Sequence, residues 1–177
     1  MKSTWSKLVN LYRTRRSVRW PVDLVVVLIV IAAIGAWQTR SHVRGVALPD
    51  VTLTALDGRS VPLSSLAGKP TLVAFWAPWC GVCRATSDNV ARVAKLGGSR
   101  VQVVSIALAY EGRGSVEQYV SQNGVDYPVL LGDDLLGARL SITSFPTFYV
   151  LGADGRIAGS AVGYTTTLGL LWRLLTA

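Results

Sequence analysis

The sequence predicts an α/β fold, a central mixed sheet flanked by helices, with an N-terminal hairpin extension and an N-terminal transmembrane helix. Three observations predict it. Apolar runs of strand length alternate with segments of helical apolar spacing, and a sheet built this way is covered on both faces. Asp57-Gly58 and Asp154-Gly155 are hairpin turn signals, each standing between two runs of strand character. Ahead of both, residues 24–37 read LVVVLIVIAAIGAW without a single charge.

The 177 residues suffice for one domain and an appendage. Half of them are hydrophobic, with a mean hydropathy of +0.39, and the excess is concentrated in the uncharged run. Six basic residues precede it (Lys2, Lys7, Arg13, Arg15, Arg16, Arg19), with no acid among them. The expected organisation is a basic cytoplasmic leader over 1–20, a transmembrane anchor over 21–38, a linker over 39–46 and a folded domain over 47–177. Trp20 and Trp37 would stand about 25 Å apart on a helix rising ~1.5 Å per residue, the separation of two interfacial belts. A cleaved signal peptide is the alternative, since Ala33 and Gly35 are small residues at suitable spacing. The long leader and β-branched core favour a retained anchor.

The charge asymmetry keeps the N-terminus in the cytoplasm and sends the domain outward. The expectation is a single-pass protein of a bacterial inner membrane with a periplasmic domain. The net charge of +8 is largely this topology signal. From Arg40 onward twelve basic residues face nine acidic ones, with no basic run and no aromatic interleaving. No nucleic-acid partner is expected.

The elements follow in order. Alternation on either side of Asp57-Gly58 predicts paired strands, with Ser64-Ser65-Leu66 as a short helical turn. PTLVAFW from Pro70 is a buried strand by its continuous apolar run. Val82, Ala85, Val90, Val93, Ala94 and Leu96 recur at near-helical spacing, predicting a helix over 81–96 that Gly97-Gly98 stops. VQVVSIALA is the next strand, parallel to the first across that helix. Ser115 is the expected cap of a helix ending at Asn123, with Gly124 as terminator. YPVLLG is extended and leads to a helix over Asp133–Ser141. FPTFYVLGADGRIAGSAVG reads as strand, turn and strand, and TTTLGLLWRLLTA closes the chain as an apolar helix.

Cys80 and Cys83, the chain's two cysteines, lie three positions apart where the buried strand passes into the 81–96 helix. A structural zinc site normally needs four ligands, and the one histidine, His42, falls in the linker. No metal is expected. A purely structural disulfide would close too short a loop to remove much chain entropy. The redox reading explains more. At a helix N-terminus the thiolate of Cys80 faces orphan N–H groups and the positive end of the macrodipole, which lowers its pKa. Cys80 is therefore the attacking sulfur and Cys83 the resolving one, both at an exposed junction. Trp76 is expected in the core and Trp79 at the surface of the site.

FWAPWCGVC on a strand-to-helix turn, with SFPTFYV some sixty residues later, resembles the thioredoxin fold. The anchor, the leading hairpin and the insert around 110–132 resemble its TlpA/ResA/DsbE branch. Within that branch WCGVCRATSDNVARVA and GYTTTLGLLWRLLTA are most similar to the membrane-anchored thioredoxins of the suppressor-of-copper-sensitivity type. The resemblance implies a protein-disulfide reductase whose only redox group is the Cys80–Cys83 pair, without a further cofactor. It implies a cis Pro146 beside the cysteines, leaving the backbone of Phe145 to pair with substrate. Trp79, Gly81 and Val82 would complete the surround. The implied partners are protein thiols and disulfides and a membrane electron donor of DsbD or ScsB type.

Two departures concern proton handling. Ala74 stands six residues before Cys80, where thioredoxins usually carry a buried Asp, and Thr86 stands where ResA-like members place a Glu. Glu111 and Asp88 are the speculative substitutes. The Gly-Val dipeptide between the cysteines also differs from the Gly-Pro of reducing thioredoxins. Other readings of the same residues are a thioredoxin of cytochrome c maturation, or a copper-binding or docking module without turnover, since Cu(I) suits two thiolates. A redoxin-type peroxidase is disfavoured because neither cysteine sits in a T-x-x-C context.

Overall fold

The computed structural model describes residues 20–30 and 44–177. The chain divides into two units, Met1–Ser41 and His42–Ala177. Of the first, residues 20–30 are helical. The remainder of the expected 21–38 anchor, and His42, lie outside the described residues. Among the described residues no helix is long and apolar enough to cross a membrane.

The second unit is built on one seven-stranded mixed sheet of order β2-β1-β5-β4-β3-β6-β7. The strands are β1 (Thr52–Ala55), β2 (Ser60–Pro62), β3 (Thr71–Trp76), β4 (Gln102–Ala107), β5 (Val129–Leu131), β6 (Thr147–Leu151) and β7 (Ile157–Val162). β3 and β4 are parallel, with Thr71 opposite Gln102 and Trp76 opposite Ala107. β6 adds to β3 in the antiparallel sense. β1 pairs antiparallel with both β2 and β5.

β3 is buried throughout because both its faces are covered. Alternate side chains then serve two cores. Val73 and Phe75 join Ile106, Tyr149 and Leu151 on one face, closed by Leu63, Leu66 and Leu136. Leu72 and Ala74 join Phe148 and Val150 on the other. There they meet Val90 and Val93 of helix α1 (Gly81–Gly97), together with Leu170 and Leu174 of helix α4 (Thr167–Leu175). A third cluster, at the end of β3, contains Trp76, Ala77, Cys80, Cys83, Val116 and Tyr119.

α1 runs one residue past its predicted end. Gly98 then takes φ 52°, with its N–H donating to the Ala94 carbonyl. Gly97 cannot carry a side chain, because a Cβ there would lie 1.8 Å from Val101 Cγ2.

Two other helices differ from expectation. Helix α2 (Arg113–Gln122) begins two residues before Ser115. Ser115 is inside its first turn, where its hydroxyl donates to the Gly112 carbonyl at 2.7 Å. The earlier start is held by Arg113, whose guanidinium donates to the Leu56 carbonyl and to Glu117 one turn on. Helix α3 (Asp134–Arg139) is shorter than the predicted 133–141. The helix stops where Ser141 takes φ 54°, its N–H donating to the Ala138 carbonyl and that of Ile142 to Gly137; the carbonyl of buried Leu140 accepts from the Tyr149 hydroxyl.

The Asp133 carboxylate caps α3, accepting from the Leu136 N–H at 2.7 Å. Asp133→Ala is expected to lower stability by about 1 kcal/mol, read as a shifted denaturant midpoint at unchanged slope. A shift under a third of that would remove the cap from the account.

The end of the expected 39–46 linker is hydrogen-bonded to the start of β7. The Gly45 N–H donates to the Ile157 carbonyl at 2.8 Å, and the Ile157 N–H returns to Val46 at 2.9 Å. These residues belong to the folded unit because they satisfy backbone groups at the start of β7.

Candidate active site

Ala77, Pro78 and Trp79 carry the chain from β3 to α1 and place Cys80 at the N-cap, with extended backbone (φ −80°, ψ 108°). The Cys80 sulfur accepts a hydrogen bond from the Cys83 N–H at 3.0 Å. A capping oxygen usually fills this role. With the positive end of the helix beside it, the sulfur is a favourable seat for negative charge once the pair is reduced. In the structure the two cysteines are joined, with S–S 2.16 Å and Cα atoms 5.2 Å apart.

The junction is less open than its sequence predicts. Cys80 is 5% exposed and Cys83 3%. Phe145 packs against the cluster that contains both cysteines, and Trp79 meets Phe145 edge to face at 5.8 Å. Trp79 is itself 68% exposed, held by its indole N–H donating to the Ala109 carbonyl at 2.9 Å. Gly81 and Val82 follow, exposed in the first turn of α1. The sulfurs are thus rimmed by apolar surface open to a partner.

Pro146 is buried, joined to Phe145 by a cis peptide bond, and lines a cavity together with Cys83. The structure therefore gathers Cys80, Cys83, Trp79, Phe145 and Pro146 at one end of β3. Trp76 is in the core, stacked on Tyr119 at a centroid distance of 4.1 Å.

Ala74 and Thr86, the two positions at which the family resemblance implies an acid, both line the cavity beside Cys83. The Thr86 hydroxyl donates to the Val82 carbonyl. Neither suggested substitute reaches the site: Glu111 and Asp88 are exposed, and neither lines the cavity. Hydroxyls replace them, from Ser87, Tyr119 and Tyr127. Burial pushes the Tyr119 phenol up to about 12, partly offset by the Arg84 charge and a hydrogen bond with Ser87. Burial also raises Tyr127, and the charges of Asp126 and Asp88 add to it.

These hydroxyls were not singled out from the sequence. Ser87 lies four residues after Cys83, on the same helix face, and that spacing could have found it. Tyr119 and Tyr127 arrive from α2 and from the segment before β5, with no local spacing to the cysteines.

Alkylation of the reduced protein at mildly acidic pH is expected to label Cys80 at least ~10-fold faster than Cys83, because only the thiolate reacts. Peptide mapping reads the ratio. Equal rates would reverse the assignment of charge to Cys80.

Residues 44–168 match the family model described as Redoxin. A thioredoxin-like protein of Haemophilus influenzae is 38% identical over 72% of this chain and 75% of its own length. The thiol-disulfide oxidoreductase ResA of Bacillus subtilis is 27% identical over 67% of this chain and 66% of its own. Among solved structures, a secreted Mycobacterium tuberculosis disulfide oxidoreductase homologous to E. coli DsbE superposes with a TM-score of 0.63 and 27% identity. That match covers 72% of this chain and 96% of that one. With the cysteine pair seated as it is at the start of α1, the chain belongs to the redoxin family, in its thioredoxin-like TlpA/ResA/DsbE branch.

Proposed function

We propose that this thiol-disulfide oxidoreductase reduces protein disulfides on the periplasmic side of a bacterial inner membrane. Residues 21–38 hold it there as a single span with residues 1–20 in the cytoplasm, and a short linker leads to the catalytic domain. The lopsided charge and the uncharged run support this placement. Electrons come from a membrane donor of DsbD or ScsB type. The functional type nearest to it is ScsD, the suppressor-of-copper-sensitivity thioredoxin.

The observation that carries the oxidoreductase reading is the Cys80 sulfur at the helix N-cap, accepting the Cys83 N–H; the reducing direction rests on the family resemblance. In the dithiol form the Cys80 thiolate attacks one sulfur of a substrate disulfide. A Cys80–substrate disulfide forms, and the other substrate sulfur leaves as thiolate and takes a proton. Cys83, deprotonated, then attacks the Cys80 sulfur and releases the second substrate thiolate. Two electrons have passed to the substrate, and the Cys80–Cys83 disulfide remains for the donor to reduce. No other cofactor takes part. Trp79, Gly81, Val82 and Pro146 form the rim on which an extended substrate segment lies, paired with the backbone of Phe145.

Trapping thiols in intact cells with an alkylating reagent tests the direction. Cys80 and Cys83 are expected mainly as dithiol, becoming oxidised when the membrane donor is deleted. A pair that stays disulfide regardless of the donor would overturn the reductase reading in favour of an oxidising or structural role. Intact mass of the membrane-extracted protein tests the tether, and a mature form beginning near Ala36 would remove it.

A further inference from the structure

The cavity behind Cys83 is lined by Ala74, Trp76, Ser87, Tyr119 and Tyr127. It offers about 10 Å³ to the centre of a water molecule, the room of one water. The Trp76 side chain on its wall is 4% exposed, and among the described residues its indole N–H has no hydrogen-bond partner. A buried donor on the wall of a space of one-water size, with the hydroxyl-bearing Ser87, Tyr119 and Tyr127 in its otherwise apolar lining, is a setting for an internal water. The hydroxyls around it are coupled. The Ser87 hydroxyl donates to the Arg84 carbonyl at 2.9 Å, leaving its oxygen as an acceptor within reach of the Tyr119 phenol, and the Tyr119 and Tyr127 phenols lie within electrostatic reach of each other.

Tyr127 has a second exposure. It also lines an open groove of about 310 Å³ bounded by Leu56, Asp57, Arg59, Val120 and Pro128. It is thus the wall between the cavity at Cys83 and a surface filled by solvent.

We propose that a single water in this cavity carries the proton of the resolving Cys83 to solvent through the Tyr127 hydroxyl, in place of the acid that Ala74 lacks. Cys83 gives its thiol proton to the water. The water passes one of its own to the Tyr127 oxygen, and the Tyr127 hydroxyl proton leaves to a base in the outer groove. Water and tyrosine end as they began, Cys83 is a thiolate, and the solvent base holds the proton. Tyr119 and Ser87 are positioning residues that hold the water.

Both phenols are raised by burial, so they stay protonated near neutrality and relay a proton without storing one. The charges acting on them are Arg84 on Tyr119, and Asp88 and Asp126 on Tyr127. Asp126 is itself paired with Lys95 at 3.2 Å. Among the described residues no carboxylate lines the cavity.

The inference rests on exchange at Cys80–Cys83 and holds for either direction of electron flow. Reaction of the reduced full chain with dithiobis(nitrobenzoate) separates the steps, since attack by Cys80 releases one nitrobenzoate thiolate and resolution by Cys83 releases the second. Tyr127→Phe is expected to slow the second release about tenfold near neutral pH and to displace its pH profile to alkaline values, leaving the first release unchanged. Ser87→Ala moves it the same way by a smaller factor, and carries the test should Tyr127→Phe fail to fold. Adding Ala74→Asp to Tyr127→Phe restores the rate by returning an acid to the cavity wall. An unchanged pH profile of the second release in both single variants, or no restoration by Ala74→Asp, overturns the relay. Absence of the first release from the unmodified reduced chain overturns the exchange reading itself, and the relay with it.

Discussion

Cys80→Ser is expected to abolish disulfide reduction, by roughly 10³-fold or more in an insulin-reduction assay, because it removes the only sulfur presented at the helix N-cap. Cys83→Ser should fail differently. It leaves the attacking thiol in place, so the substrate disulfide is opened once and the product stays joined to Cys80. In cells this variant should accumulate mixed disulfides that vanish under reductant and are missing from the Cys80→Ser, Cys83→Ser double variant. Non-reducing electrophoresis displays them, and their protein components separate the candidate roles. An apocytochrome points to cytochrome maturation, whereas a soluble periplasmic thiol protein points to the copper-stress role. Retained turnover in Cys80→Ser would refute the division of labour between the two sulfurs.

The second large effect is on stability. Phe75 is wholly buried near the end of β3, between Ile106 of β4 and Thr147 of β6. Its ring meets Tyr149 edge-on at 5.3 Å. Phe75→Ala removes that pair and leaves a cavity in a core between the sheet and Leu63, Leu66 and Leu136. The expected loss is about 3–5 kcal/mol, because a sheet bonded on both flanks cannot collapse inward to fill the space. At about 2–4 °C per kcal/mol for a chain of this size, the thermal midpoint falls by roughly 10 °C. A loss under ~1 kcal/mol would mean that this face of the sheet is not the main core.

Much of the domain was legible as a one-dimensional pattern. β3 could be read from an unbroken apolar run because a strand covered on both faces has no polar side to show. α1 could be read from its spacing and its paired glycines, since one glycine must admit Val101 and the next must take positive φ. Helix boundaries were harder. α2 begins early through Arg113, whose partner Leu56 lies 57 positions away, and no local spacing encodes such a bond. α3 ends early because Ser141 takes positive φ, a conformation its residue type does not announce.

The candidate site divides along the same line. By itself the sequence determined the cysteine pair and its seat at a helix start, because these depend on neighbours within one turn of chain, and its resemblance to a redox family, because two short motifs carry that without any contact between them. Burial of both sulfurs was decided by tertiary structure, since Phe145 arrives from a segment more than sixty positions away. So was the surround of Cys83. Ala74 and Thr86 announced a missing acid, but what stands in its place depends on three chain segments meeting in space. Ser87 comes from α1, Tyr119 from α2 and Tyr127 from the approach to β5. A hydroxyl has no periodicity of its own to reveal it. Only the packing of those segments around Trp76 turns separate polar residues into one cavity beside a thiol.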